Sequence, residues 1–299
     1  MWFLFTVCTI LAWSGSDLFS KMGSKPSDKL SHWKMVIAVG AVMGVHAIWQ
    51  LTAMGIDYDF INIIKYLPVS ALYIISMVFG YAGLRYIELS LSSPICNSSG
   101  ALVALMCFLF LGQRMSAAQF IAVALICAGI LALGILEKRD ADRERLSSGI
   151  VPDSKYTKSA LALVFPVLYC LIDALGTFAD AFYLDVVMDA TTANISYELT
   201  FLFVGILAFI YVVFVKKESL TPSRDKFKFI AALCETAGQF AYVFALSGNA
   251  IVAAPVIASY CVFSVVWSRI FLKEKLSKEY YFVIAAVVAG IAVLGFFDA

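Results

Sequence analysis

Apolar residues run along this chain in ten long blocks divided by short polar stretches, at residues 2–22, 33–54, 66–86, 89–112, 117–136, 159–183, 192–215, 227–247, 250–272 and 279–297. A helix needs about 20 mostly apolar residues to cross the hydrocarbon core of a bilayer. Backbone N–H and C=O groups find no water there and must pair within the chain, so each block predicts a helix. The strict alternation over about ten residues that marks a membrane β-strand is missing. Composition agrees: 62% of the residues are hydrophobic and 14% charged, against about 25% charged in a soluble domain. The pattern predicts an all-α membrane protein of ten transmembrane helices, in contact with the lipid bilayer. The first block has no charged region ahead of it and carries Ser14, Ser16 and Asp17, so it reads as a retained helix and not as a cleaved signal.

The two halves repeat each other without a gap at an offset of 161 residues, which sets Pro94 on Pro255, Ser116 on Ser277, Gly129 on Gly290 and Gly134 on Gly295. The similarity is clearest between Tyr81–Leu136 and Tyr242–Phe297. Internal repeats of this kind mark membrane carriers that hold a substrate between related bundles. The expected organisation is a first repeat at 1–136 (helices 1–5), a basic linker at 137–158 and a second repeat at 159–299 (helices 6–10). All but two of the 22 Lys and Arg (Lys65 and Arg114) fall after odd-numbered helices. Cytoplasmic loops are the ones enriched in Lys and Arg, so both termini are expected outside. Corresponding loops of the two halves carry opposite loads: the first is basic where the sixth is not, and the second and fourth are poor where the seventh and ninth are rich. Five helices per half, an odd number, inverts the second copy, so two inverted 5+5 repeats are expected. The plasma or inner membrane is the expected location.

Several functions are excluded. A net charge of +1 offers no footprint for nucleic acid. Cys8, Cys96, Cys107, Cys127, Cys170, Cys234 and Cys261 lie within apolar blocks, with no C-x-x-C pair or Cys/His cluster, so neither a metal site nor a disulfide framework is expected. No G-x-x-x-x-G-K-[ST] loop occurs, and no cofactor is expected.

In the first half the segment Tyr81–Leu136 contains Leu-Ser-Ser-Pro at 91–94, Leu-Gly-Gln at 111–113, Ala-Gln-Phe at 118–120 and Ala-Gly-Ile at 128–130. Its counterparts are Val-Ala-Ala-Pro at 252–255, Leu-Lys-Glu at 272–274 and Ala-Gly-Ile at 289–291. On these motifs the chain resembles the drug/metabolite transporter superfamily, specifically the ten-helix carriers built from two EamA repeats. That family has Leu-Gly-Glu at the second site. Here Gln113 replaces the Glu of one copy and Lys273 the Gly of the other, at loop-capping positions. The resemblance implies a secondary carrier, not an enzyme, with helices 1, 3, 4, 6, 8 and 9 lining a midplane cavity whose exposure alternates as the halves rock. It implies a small polar metabolite such as an amino acid as substrate, with export the commoner direction among relatives. A coupling proton or ion is compatible with this class, as are a monomer and a homodimer. A nucleotide-sugar or organophosphate exchanger is the alternative, and it would need cavity cations, for which Arg269 and Lys21 are the candidates.

Ionisable residues inside membrane helices are costly and mark candidate pathways. On helix 1, Ser14, Asp17 and Lys21 share a face at i, i+3, i+7, and Asp17 and Lys21 are also spaced to pair with each other. Four-helix small multidrug resistance proteins, which helix 1 also resembles, would have their essential carboxylate at Trp13 when aligned on Lys21. On helix 6, Asp173, Thr177 and Asp180 share a face, with the carboxylates about 10.5 Å apart along the axis, a polar track; Asp180 could equally be hydrated at the interface. Glu198 of helix 7 is open to a pathway role or to a place in the first turn, where the helix dipole favours it. Glu235, Gln239 and Tyr242 share a face of helix 8; Glu235 is open to a pathway role or to pairing with Gln239 or Arg269. Around Pro94 and Pro255, which remove backbone hydrogen bonds, Asn97, Ser98 and Tyr260 are the substrate-contact candidates, and Trp13 joins Tyr260 in the expected cavity. A membrane-embedded enzyme would need a catalytic constellation, yet His32 falls in a loop and His46 stands alone on helix 2. A non-transporting scaffold remains as a third class.

Overall fold

The computed structural model describes residues 1–23, 30–83, 96, 98–148, 164–271 and 277–297. Among them no strand occurs, and ten α-helices can be traced: α1 Trp2–Gly23, α2 Ser31–Thr52, α3 Ile61–Gly83, α4 Ser99–Phe110, α5 Ala117–Ser148, α6 Val164–Val186, α7 Ala190–Ile210, α8 Pro222–Ile257, α9 Tyr260–Phe271 and α10 Lys278–Phe297. A single π-helical stretch, Tyr211–Val215, continues α7. Six spans within α1, α2, α5, α6, α7 and α8 are long and apolar enough to cross a membrane, and Ile61–Ser76 and Ser99–Phe110 are shorter apolar helices. Helix starts recur at the offset seen in the sequence. Ile61 of α3 corresponds to Pro222 of α8, the bounds of α4 to those of α9, and Ala117 of α5 to Lys278 of α10.

Two elements depart from the pattern of blocks. α5 continues through Glu137–Ser148, beyond the apolar block, because this stretch is rich in good helix formers. Arg143 also lies 3.8 Å from Asp140 at i, i+3. The block at 250–272 is not one helix. Asn249 has extended backbone (φ −165°, ψ 77°), and a turn at Ala258–Ser259 separates α8 from α9. The Ile251 N–H released by the Asn249 break donates to Gln113 Oε1 at 3.2 Å, so Gln113 does cap, though on a segment of the other half. The Ser259 hydroxyl closes the second break on Val256 O at 2.6 Å.

The chain forms two compact units that do not follow its halves: Met1–Ser70 with Phe182–Gly248, and Ala71–Ala181 with Asn249–Ala299. In the first, α2 and α7 are antiparallel: Trp33 meets Tyr211, Gly40 meets Gly205 and His46 meets Glu198. A Cβ on Gly40 would stand 2.5 Å from Phe201 O and 2.9 Å from Gly205 Cα, so only glycine permits this crossing. α1 runs antiparallel to α8, from Trp2 on Gly248 through Phe5 on Phe244 to Phe19 on Phe227.

The ends of this unit differ in charge. One end holds Lys34, Lys216, Lys217, Arg224, Lys226 and Lys228 with Glu218 and Asp225; the other holds Asp57, Asp59, Asp185 and Asp189 with Lys65. At the basic end Lys34 pairs with Glu218 at 2.8 Å. Lys228, 2% exposed, pairs with Asp225 at 2.9 Å and donates to Gly23 O at 3.0 Å, closing the last turn of α1. At the acidic end Asp189 caps α7, accepting from the N–H of Thr191 (2.9 Å) and Thr192 (3.0 Å) and from the Thr192 hydroxyl (2.6 Å).

In the second unit α5 and α10 are antiparallel, Arg139 reaching Glu279 at 3.3 Å. Gly129 receives the Val287 side chain, and a Cβ on Gly290 would lie 2.9 Å from Ile126 Cγ1. The start of α4 rests on the proline-bearing end of α8, where a Cβ on Gly100 would be 2.8 Å from Pro255 Cα.

Three outcomes are expected. Gly40→Val should destabilise the detergent-purified protein by about 1–3 kcal/mol through overpacking, while Ala41→Leu, on the exposed face of the same turn, leaves the melting temperature unchanged. Lys228→Met should cost about 3–5 kcal/mol by stranding Asp225, and a Lys228→Met/Asp225→Leu double variant should recover part of it. For Asp189, burial acts upward on the carboxyl, but the Thr192 hydroxyl and the Thr191 and Thr192 amides outweigh it and hold it below its ordinary value. A carboxyl depressed in the folded state contributes fully above the unfolded value of about 3.9 and is lost as pH falls through its folded value. The gap between wild type and Asp189→Ala, about 1 kcal/mol at pH 7, should therefore close as melts are repeated below about pH 3.9.

Candidate functional site

Polar side chains gather inside the units in three places, and each follows from how a helix face is shaped. On α1 and α8 the glycines do the shaping. Gly238 leaves the space that the Trp13 indole fills, and Gly15 admits Cys234, a Cβ there lying 3.4 Å from Cys234 Sγ. Trp13 then stacks at a tilt on Tyr242, with ring centroids 5.0 Å apart. On the same side of this contact Glu235 hydrogen-bonds with Ser16 and lies within the field of Asp17, which is itself exposed. The structure thus brings together four of the expected residues, Trp13, Asp17, Glu235 and Tyr242. It gives Glu235 a partner that neither expected pairing foresaw. Ser16 was visible in the sequence as part of Ser-Gly-Ser-Asp at 14–17, but it lies off the face shared by Ser14, Asp17 and Lys21. Ser14 is buried and turns back onto its own helix, donating to Leu11 O at 3.0 Å. Gln239 is buried, and its Nε2 has no partner. The side chains of Lys21 and Arg269 lie outside the described ones.

The second place lies in the other unit and involves α3, α4 and α6. Asp173 hydrogen-bonds with Ser99, the first residue of α4, where the positive end of the helix favours a carboxylate. The Tyr73 hydroxyl lies 3.1 Å from Thr177 Oγ1 and 3.4 Å from Asp180 Oδ2. Gly176 makes room for this contact, since a Cβ there would be 3.3 Å from the Tyr73 ring. The expected polar track of α6 is therefore divided between two partners, and Asp180 is fully buried rather than hydrated. Tyr73 was missed because α3 carries no carboxylate to mark the face it shares with Ser70 and Ser76. Ser98 stands in the turn before α4, its carbonyl accepting from Ala101 N at 3.2 Å. Tyr260 opens α9 and is half-buried. Pro94 and Asn97 lie outside the described residues, and Pro255 ends α8 beside Gly100.

The third place joins α2 and α7. Because Asp189 caps α7, Glu198 lies more than two turns into the helix and not in its first turn. Its carboxylate meets His46 Nδ1 at 2.7 Å (Oε1) and 3.0 Å (Oε2), so His46 is not alone on its helix. Gln50 Nε2 approaches the same ring, 3.2 Å from Nδ1 and 3.3 Å from Nε2. No spacing rule links residues 46 and 198, so this pair could not be read from the sequence. Among the described residues no group of three or more His, Cys, Asp or Glu is placed to hold a metal ion.

In these clusters the carboxylates are held by hydroxyls or by an imidazole, an arrangement suited to binding a polar solute or a proton. Comparison with known proteins supplies the wider frame. A solved structure, described as the crystal structure of a protein, superposes with a TM-score of 0.69 at 14% identity, over 99% of this chain and 96% of that one; this likeness concerns the fold alone. No curated protein matches the chain. The model of the EamA-like transporter family matches residues 1–135 and again residues 161–296. The chain belongs to the EamA-like transporter family and is a multi-pass integral membrane protein of the drug/metabolite transporter type.

Proposed function

We propose that this protein is a secondary carrier that exports a small polar metabolite bearing an amine, of the amino-acid type, by alternating access. The observation that carries the reading is the α1–α8 cluster. Glu235, held by Ser16 and within the field of Asp17, offers negative charge beside the paired rings of Trp13 and Tyr242. A carboxylate together with aromatic faces is the chemistry that recognises an ammonium group. One helical turn away, the buried and unpartnered Gln239 Nε2 supplies the donor that a substrate carboxylate would accept from.

Two further features support a carrier of inverted 5+5 repeats. The corresponding helices α2 and α7, and likewise α5 and α10, pack antiparallel. The basic end of the first unit marks the cytoplasmic side, which leaves Met1, at the opposite end of α1, outside. The plasma or inner membrane suits such a carrier.

The test is a thermal-shift screen of the purified protein against amino acids, nucleotide sugars, sugar phosphates and cationic drugs. A ligand at a hundredfold its Kd stabilises by about 2.7 kcal/mol. Amino acids or related amines should raise the melting temperature of the wild type and fail to do so in Glu235→Gln. A shift produced by sugar phosphates or nucleotide sugars instead would replace the amine reading with an exchanger. An amine shift that survives Glu235→Gln would remove Glu235 from the binding site.

A further inference from the structure

His46 and Glu198 take no part in the α1–α8 cluster, yet they form the tightest polar contact between α2 and α7. The Glu198 carboxylate is fully buried, whereas the His46 side chain is 26% exposed. One partner is thus sealed in the helix pair, and the other keeps an edge outside it. With both carboxylate oxygens within 3.0 Å of Nδ1, that nitrogen carries the proton and donates it to Glu198. The Gln50 amide nitrogen lies 3.2 Å from Nδ1 and 3.3 Å from Nε2, across the ring and not in line with either lone pair. With Nδ1 donating to the carboxylate, Nε2 keeps its lone pair, and the arrangement fits a neutral imidazole.

When Nε2 gains a proton, the imidazolium and the Glu198 carboxylate become an ion pair that shares the Nδ1–H hydrogen bond, which favours the charged ring. The proton comes from water and returns to it. The pair passes between a charge of −1 (neutral His46, Glu198 carboxylate) and zero (imidazolium, carboxylate).

The surroundings leave this exchange to the pair itself. From α2 the ring meets Gln50 and stacks on Trp49 at 5.9 Å between centroids; from α8 it meets the edge-on ring of Phe240 at 5.5 Å. From α7, the fully buried Asn194 turns its amide toward the Glu198 carboxylate. Among the described residues, the charges acting on His46 and Glu198 are each other's.

We infer that His46 is a proton-exchange site, gaining and losing one proton at Nε2 while Glu198 holds the ring through Nδ1, and that this is the proton the carrier couples to transport. The coupling rests on the carrier reading above; the proton exchange does not. The chain has two histidines, so isotope-labelled histidine in the full-length protein gives two sets of ring nitrogen resonances, assigned with His46→Gln. From about pH 9 to about pH 5, the His46 resonances should pass from a ring protonated at Nδ1 to an imidazolium. Glu198→Gln should lower the midpoint by about a unit, a tenfold loss of proton affinity, with His32 unmoved. Resonances of His46 that stay constant over this range, or a midpoint equal in wild type and Glu198→Gln, would overturn the site.

Coupling is read in proteoliposomes with the compound that stabilises the protein in the screen. One proton per cycle supports about tenfold accumulation per unit of imposed pH gradient. The wild type should show that accumulation and His46→Gln should lose it; equal accumulation in the two would overturn the coupling. A screen in which nothing binds would fault the carrier reading, and the resonance titration would still decide whether His46 exchanges a proton.

Discussion

A backbone amide in hydrocarbon has no water to turn to, and this requirement governs the molecule wherever a helix stops or breaks. The break at Asn249 frees the Ile251 N–H, and Gln113 arrives from the loop after α4 to accept it. The open carbonyl of Gly23 at the end of α1 receives the Lys228 ammonium, which Asp225 in turn holds. The first amides of α7 find Asp189. Each of these polar residues is fixed by a backbone need, and Gln113 and Lys228 in doing so tie two separate segments together. The protein thus has few polar groups to spare, which gives weight to those that answer no backbone need: Glu235, Gln239, Asn194 and the His46–Glu198 pair.

Between these fixed points the helices are held by close approach. Lipid tails are as apolar as leucine, so association rests on packing, and small residues decide how near two backbones come. The repeat in the sequence acquires a physical meaning here. Gly129 and Gly290 correspond across the offset, and both lie in the contact of α5 with α10, each receiving a side chain from the other's helix. Gly44 and Gly205 also correspond, and both lie between α2 and α7. A helix packed against its own counterpart in the other half needs the same small residue on both sides, as in a self-complementary interface. Such glycines persist in both copies while the surrounding apolar residues drift.

That difference in constraint also explains which features could be read in the sequence. Long apolar blocks and their polar ends translate directly into helices, and α3 and α5 share their starts with α8 and α10 because turn residues mark them. The turn at Ala258–Ser259 was invisible, since Pro255 and its small neighbours interrupt an apolar run without any polar punctuation. The length of α5 was hidden for the opposite reason: helix propensity and charge pairing in Glu137–Ser148 carry it past the apolar limit. Among the polar residues, those sharing a face on one helix were legible as sets, as with Glu235, Gln239 and Tyr242. What they meet was not. Ser16, Tyr73 and His46 come from other helices, and no local periodicity encodes the rotation that turns one helix face toward another.

The kind of partner each charge has separates structure from chemistry. At the basic end of the first unit, Lys34 faces the half-exposed Glu218, and Lys228 faces Asp225 in a pair buried on both sides; the buried pair is committed, because removing one partner strands the other. Within the helix pairs the carboxylates are held differently: Glu235 by a serine, Asp173 by a serine at a helix start, Glu198 by an imidazole. A hydroxyl orients a carboxylate without cancelling its charge, and an imidazole cancels it only when protonated. Groups held in this way keep their capacity to meet a cation or a proton that comes and goes. A carrier requires that property of its interior, because a site that is neutralised permanently has nothing left to exchange.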